Sequence, residues 1–438
     1  MEELEGRPGT AESEAGIEGA SVALFEPTSI DFAKLLTKGR RRAMFAMLGP
    51  AFVASVAYVD PGNFATNFSG GARFGYMLLW VVLLANLMAV FVQYLSAKLG
   101  IVTNRNLPEL YRENYPRSSW AMWIQAEVVA MATDVAEFIG AALGLNLLFG
   151  VPLPWAGVIT GFVAFAVLEM QTHGFRRFEL AITAFLSLVL LGFLYETLKV
   201  GPSAHESLRG LIPHLHGSDS LYIAVGIVGA TVMPHAIFLH SALTAKRVAH
   251  HSEAEKKSIL GFELFDTTIA LGLAGLVNLA MLAVAAKLFY HGGAGYAMTV
   301  QHAYHGISRQ VGGVAALMFA VALLASGLAS SSVGTYAGQV VMSGFTKLSI
   351  PLVLRRAVTM LPALILLVVN YNPTEALILS QVVLSFGIPL AIIPLVLFTS
   401  KKKLMGTHVN RVYVTVIGWT IAVVITLMNA FLIYQQLV

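Results

Sequence analysis

Apolar residues occur along this chain in long blocks, and short polar stretches separate them. LLWVVLLANLMAVFVQYL (78–95) and LPALILLVVN (361–370) are typical of the blocks. The spacing is that of membrane helices, each of which needs roughly 20 residues to cross the hydrocarbon. From Arg40 onward eleven segments reach crossing length: 44–69, 75–98, 119–149, 154–170, 178–198, 219–244, 261–288, 311–342, 353–370, 375–399 and 412–437. The expected fold class is an all-α integral membrane protein.

Two of these segments carry a proline break beside polar residues. The first reads AFVASVAYVDPGNFATNFSG and the sixth YIAVGIVGATVMPHAIFLHSAL. The breaks are five segments apart, an odd number, so the two halves run through the membrane in opposite directions. That arithmetic predicts a five-plus-five inverted repeat followed by an eleventh helix, an architecture that holds substrate at the midplane between broken helices. The units expected are a tail over 1–39, a first repeat over 40–200, a second over 218–400 and the last helix over 401–438.

Composition agrees with the pattern. Hydrophobic residues make up 57% and Asp, Glu, Lys and Arg only 12%, against about a quarter charged in soluble domains. The absence of cysteine excludes disulfides, zinc ribbons, iron–sulfur centres and thiolate nucleophiles, and leaves methionine as the soft metal ligand. Of the 28 Lys and Arg, 22 fall on one side of the membrane when the N-terminus is placed inside. The positive-inside rule thus predicts a cytoplasmic N-terminus and an extracytoplasmic C-terminus. Residues 1–31 carry eight acids and only Arg7 as a base, which reads as a disordered, acidic cytoplasmic tail. The expected location is the plasma (inner) membrane.

The breaks also carry the candidate chemistry. A proline has no N–H, so Pro61 and Pro234 remove the helical partners of the Ala57 and Ala230 carbonyls. Such carbonyls are tolerated at membrane depth only where they line a cavity or bind something. Beside them stand Asp60, a mid-membrane carboxylate and so a functional-site candidate, and Asn63, three positions on. Met233 adds a thioether, and His235 an imidazole, the side chain that changes charge nearest neutral pH. One carboxylate, one amide, two carbonyls and one thioether suit a divalent transition metal, whereas Mg²⁺ and Ca²⁺ want oxygen alone. Mn²⁺ and Fe²⁺ are expected, with Co²⁺, Zn²⁺ and Cd²⁺ as competitors. In the third segment Glu127, Asp134 and Glu137 supply ionisable groups for a proton route, and Asp134 and Glu137 share a helix face.

Asp60-Pro61-Gly62-Asn63 and Met233-Pro234-His235 resemble the two signature motifs of the Nramp divalent metal transporters. The likeness extends through GARFGY (71–76), ATDVAEFIG (132–140), ALLASGLASS (322–331) and LILSQVVLSFG (377–387). It implies the LeuT-type fold and proton-coupled import of Mn²⁺ or Fe²⁺. It also implies metal ligation by Asp60, Asn63, Met233 and the Ala57 and Ala230 carbonyls, with Gln381 joining during transport. A proton path would run from the site along the third helix to Arg355 and Arg356. No resident cofactor, enzymatic activity or nucleic-acid partner is expected; metal ions, protons and lipid are the partners of a monomer. An organic-solute symporter on the same fold is disfavoured by the acid at the break. A metalloprotease is disfavoured by the lack of HEXXH, and a Mg²⁺ carrier by the thioether of Met233.

Overall fold

The apolar blocks fold as helices whose ends lie within about two turns of the expected limits. The computed structural model describes residues 30–31, 37, 49–169, 175–245, 247–249, 252–290, 298–348 and 350–437. The first segment is two helices, α1 (Pro50–Val56) and α2 (Pro61–Phe74), joined by a 3-10 turn over Ala57–Val59. The second to fifth are α3 (Leu79–Thr103), α5 (Ser119–Phe149), α6 (Leu153–Glu169) and α7 (Phe175–Val200). The sixth is again two helices, α9 (Gly217–Thr231) and α10 (Pro234–Thr244). The rest are α11 (Glu253–Phe289), α13 (Gly313–Thr346), α14 (Leu352–Val368), α15 (Pro373–Thr399) and α17 (Val412–Leu437).

Among the described residues, four short helices lie between the spans: α4 (Leu107–Asn114), α8 (Ala204–Arg209), α12 (Val300–Gln310) and α16 (Lys402–Met405). The search for crossing-length blocks passes over them because they are too short and too polar. Local signals exist all the same. Asn106 and Glu109 form a reciprocal capping box at the start of α4, which satisfies two of the free N–H groups of a helix N-terminus. Most of the expected tail, and residues 40–48 of the first repeat, lie outside the described residues. Within the tail, Ile30–Asp31 (β1) pairs in parallel with Val248–Ala249 (β2), just past α10.

Proline alone does not explain the breaks, since Pro362, Pro389 and Pro394 sit inside continuous helices. At Pro61 and Pro234 the preceding residue is extended, with ψ 170° at Asp60 and 122° at Met233, as the clash with the proline ring favours. Asp60 then caps the new helix by accepting from the Asn63 N–H at 2.8 Å.

The most extensive helix pairing is α5 with α13, and small residues make it possible. A Cβ on Gly327 would stand 2.7 Å from the Ala141 nitrogen and 2.9 Å from its Cα. The run Ser326–Thr335 is buried, and its small residues form a close-packing surface. Gly140, also on α5, lies against the Pro61 ring, so this pairing supports the first break directly.

Gly327→Val therefore forces two backbones apart, and overpacking of this kind costs about 1–3 kcal/mol. Gly261 of α11 has open space where a Cβ would go, so Gly261→Ala is neutral or stabilising by up to about 1 kcal/mol. Thermal unfolding of both variants in one detergent should show a lowered midpoint for Gly327→Val only; a fall of similar size for Gly261→Ala would refute the packing account.

Candidate metal site

The two breaks meet in the protein interior. Asp60, Asn63 and Met233 are buried to 0% exposure. Beyond its cap bond, Asp60 has a second oxygen, Oδ2, with no hydrogen-bond partner among the described residues. One polar atom of the Asn63 carboxamide lies 2.6 Å from Asp60 Oδ1 and 3.1 Å from the Ala230 carbonyl oxygen. Thus a carboxylate, a carboxamide and the carbonyl of the last turn of α9 converge from both broken segments. Met233 is the N-cap of α10, placed between Ala230 and Pro234 by the second break. Gln381 of α15 packs against both breaks: its side chain fills the space beside Gly62, and its carbonyl lies against Gly229. Its Oε1 also lacks a partner among the described residues. Ala57 opens the 3-10 turn, so the first break spreads over Ala57–Asp60 rather than forming a single kink. The neighbouring carbonyls are taken by side chains from other helices: Tyr58 by Asn278 Nδ2 at 2.8 Å, Val59 by Ser326 Oγ.

The acids of α5 and the paired arginines of α14 form a second cluster. Arg355 Nη2 is 2.9 Å from Glu127 Oε2, and Arg355 also donates to the Thr335 carbonyl. Arg356 donates to Ser331 Oγ and Thr335 Oγ1. Asp134 lies within electrostatic reach of Arg356, Arg355 and Glu127, and Glu137 within reach of Asp134, Asp60 and Arg356. The acids therefore make a continuous series from Asp60 to the arginines. His235 joins it from the second break, with Nδ1 3.2 Å from Thr133 Oγ1, one residue before Asp134.

A cavity of about 350 Å³ lies on one side of the breaks, lined among others by Ser69, Arg73, Tyr222, Ile223 and Glu375. On the other side, a buried polar chain runs from Tyr58 through Gln93 and His240 to Glu263. Asp266 Oδ2 accepts from the Gly49 and Ala51 N–H groups at the start of α1.

The chain matches known proteins closely. The family described as "Natural resistance-associated macrophage protein-like", Nramp, matches residues 51–435. The chain belongs to the Nramp family. Among Nramp relatives, the divalent metal cation transporter MntH of Deinococcus radiodurans is 51% identical over 397 residues, 90% of this chain and 91% of its own. The MntH of Bacillus subtilis is 50% identical over 394 residues, 90% and 92% of the two chains. Both relatives are named as transporters and not as enzymes. The solved Eremococcus coleocola manganese transporter, in complex with an aromatic bis-isothiourea substituted compound, superposes with a TM-score of 0.82 at 34% identity, covering 91% of this chain and 88% of that one. MhsT in complex with L-phenylalanine superposes at 0.59 with 12% identity over 87% and 98%, a likeness of fold alone. The fold is the LeuT type with its broken first and sixth helices.

From the sequence alone, Asn278 and Asp266 read only as interhelical hydrogen-bonding or gating residues. Their polarity in the middle of an apolar block is a signal, but their partners are distant in sequence. Glu196 of α7 escapes that reasoning altogether; it is fully buried, with neither oxygen bonded among the described residues.

The Glu127–Arg355 pair is largely buried, at 17% and 5% side-chain exposure, and removing one member leaves the other charge without compensation. Glu127→Gln should lower stability by about 1–3 kcal/mol. The double variant Glu127→Gln/Arg355→Met should recover part of that loss in a thermal-unfolding assay, and a double loss equal to the sum of the two singles would show that the pair is not coupled.

Proposed function

We propose that the protein imports Mn²⁺ and Fe²⁺ together with protons by alternating access, with Cd²⁺, Co²⁺ and Zn²⁺ as further substrates. The observation that carries this reading is the meeting of Asp60 Oδ1, the Asn63 carboxamide and the Ala230 carbonyl, with the carboxamide 2.6 Å from the first oxygen and 3.1 Å from the second. In this reading Asp60, Asn63 and Met233 bind the metal with the Ala57 and Ala230 carbonyls, and Gln381 joins them during transport. The cavity over the breaks then belongs to the extracytoplasmic approach, and the α1 side to the cytoplasmic exit. The series Glu137, Asp134, Glu127, Arg355 and Arg356 carries the proton, with His235 beside the metal. The protein works as a monomer in the inner membrane, N-terminus inside and C-terminus outside. The names of the MntH relatives and the manganese transporter support the metal substrate, and the distribution of Lys and Arg supports the orientation.

The metal site has two tests. Asp60→Ala removes its only charged ligand, so calorimetry should find no Mn²⁺ binding at concentrations that saturate the native protein; retained affinity would overturn the site. Met233→Ala replaces a soft ligand by space for water, which favours hard cations. Cd²⁺ affinity should drop by about 1–2 kcal/mol, roughly five- to thirty-fold, while Ca²⁺ becomes a better competitor of Mn²⁺ uptake into liposomes. Unchanged Ca²⁺ competition would make Met233 a packing residue.

Asp134 sits on α5, apart from the breaks. In liposomes with an inward proton gradient, Asp134→Asn should cut internal acidification by at least about tenfold, in keeping with the loss of a positioned proton-transfer group, and leave Mn²⁺ affinity within about threefold. Equal losses of both would place Asp134 in the metal site instead.

A further inference from the structure

We infer that Asn278 is the positioning residue that lets Asn63 change its face toward the metal. The inference rests on Asn63 being a metal ligand and goes beyond that reading by assigning a role to a residue on α11.

Asn278 is fully buried and holds both halves of the broken first segment. Its Nδ2 donates to the Tyr58 carbonyl, before the break, at 2.8 Å, and its Oδ1 accepts from Asn67 Nδ2 of α2, after the break, at 3.0 Å. The far end of the Asn63 carboxamide lies 3.3 Å from Asn278 Nδ2 and 3.2 Å from Asn278 Oδ1. Asn278 therefore spans the gap in the helix and touches the ligand that follows it.

A carboxamide has an acceptor end and a donor end, and the two ends of Asn63 meet different demands with and without a cation. Without one, the near end faces two oxygens, Asp60 Oδ1 and the Ala230 carbonyl, and only the nitrogen can donate to them. With a divalent cation between those oxygens, only the carbonyl oxygen of Asn63 is acceptable there. The side chain must turn by half a rotation about its last bond as the metal binds. Its far end then changes from oxygen to nitrogen.

Asn278 can serve both orientations without moving. Its Nδ2 carries a second proton beyond the one given to Tyr58, and its Oδ1 has a second lone pair beyond the one used by Asn67. When the Asn63 oxygen faces α11, Nδ2 supplies a donor; when the nitrogen faces it, Oδ1 supplies an acceptor. A buried polar group is left unsatisfied in neither state, so the rotation avoids the usual cost of stranding one. An alanine, leucine or serine at this position lacks that two-sided reach.

The test is a double-mutant cycle on the full-length protein in detergent, read as Mn²⁺ affinity by calorimetry. Asn278→Ala strands the Asn63 carbonyl oxygen in the metal-free state and the Asn63 NH2 group in the loaded one, and because a buried unpaired N–H is the costlier of the two, the variant should weaken Mn²⁺ binding by about three- to tenfold. In an Asn63→Ala background the same change should alter affinity by less than about twofold, because no carboxamide remains to be turned. Asn67→Ala, which removes another bond of Asn278, should leave affinity near native and serves as the control for loosened packing. Should Asn278→Ala not fold, Asn278→Ser keeps a hydroxyl for the Tyr58 carbonyl and gives the same cycle. Equal losses in both backgrounds overturn the inference and leave Asn63 as a ligand. Native affinity in Asn63→Ala overturns the ligand reading itself, and this inference with it.

Discussion

Inside the hydrocarbon every backbone N–H and C=O needs a partner, and water is not there to provide one. Among the described residues, all spans but the first and sixth meet this demand with continuous helix, proline-containing α14 and α15 included. The first and sixth do not, and the structure around them is a response to that shortfall. Asn278 and Ser326 reach in from α11 and α13 to the carbonyls of Tyr58 and Val59. Asp60 caps α2, and Asp266 receives the free N–H groups at the start of α1. Gly62, Gly140 and Gly229 let α15 and α5 come close enough to seal what remains. The polar groups still turned inward, Asp60 Oδ2 and Gln381 Oε1 among them, lie where the two gaps face each other.

Much of this was legible in the sequence because it depends on local chemistry. Hydrophobic run length marks the spans, and the residues around Pro61 and Pro234 mark the breaks, since an extended residue before proline is a short-range effect. The acid at the first break announces itself by the cost of putting it there. Other features depend on contacts between distant positions and leave a weaker trace. Arg355 and Arg356 also satisfy the topology rule, so only their geometry separates a partner of Glu127 from a loop charge. Asn278 looks like any polar residue in a span until its three neighbours are seen. The 3-10 turn at Ala57–Val59 is hidden because proline marks where a helix cannot continue, not how the chain before it relaxes.

The two clusters differ in what they bury. Around the breaks the groups are mostly neutral dipoles arranged about one carboxylate. Between α5, α13 and α14 they are opposite full charges, with Arg356 held by hydroxyls of the small-residue run that also allows close packing. The same stretch of α13 thus serves packing at Gly327 and hydrogen bonding at Ser331 and Thr335. Because α5 carries Gly140 against Pro61 and Glu127 against Arg355, one rigid rod connects the neutral cluster to the charged one.

The single carboxylate at the breaks has an electrical consequence. In the proposed metal site, a dication held by Asp60 and otherwise by uncharged ligands leaves one positive charge uncompensated within that shell. Carried across a membrane whose interior is negative, that charge gains about 2.3 kcal/mol per 100 mV if it traverses the whole field. The membrane potential then acts on the loaded form of the protein and not on a form whose site holds one proton in place of the metal, which is neutral. In the proposed import cycle a polarised bilayer thus biases the direction of turnover through the charge count of a site with only one acid.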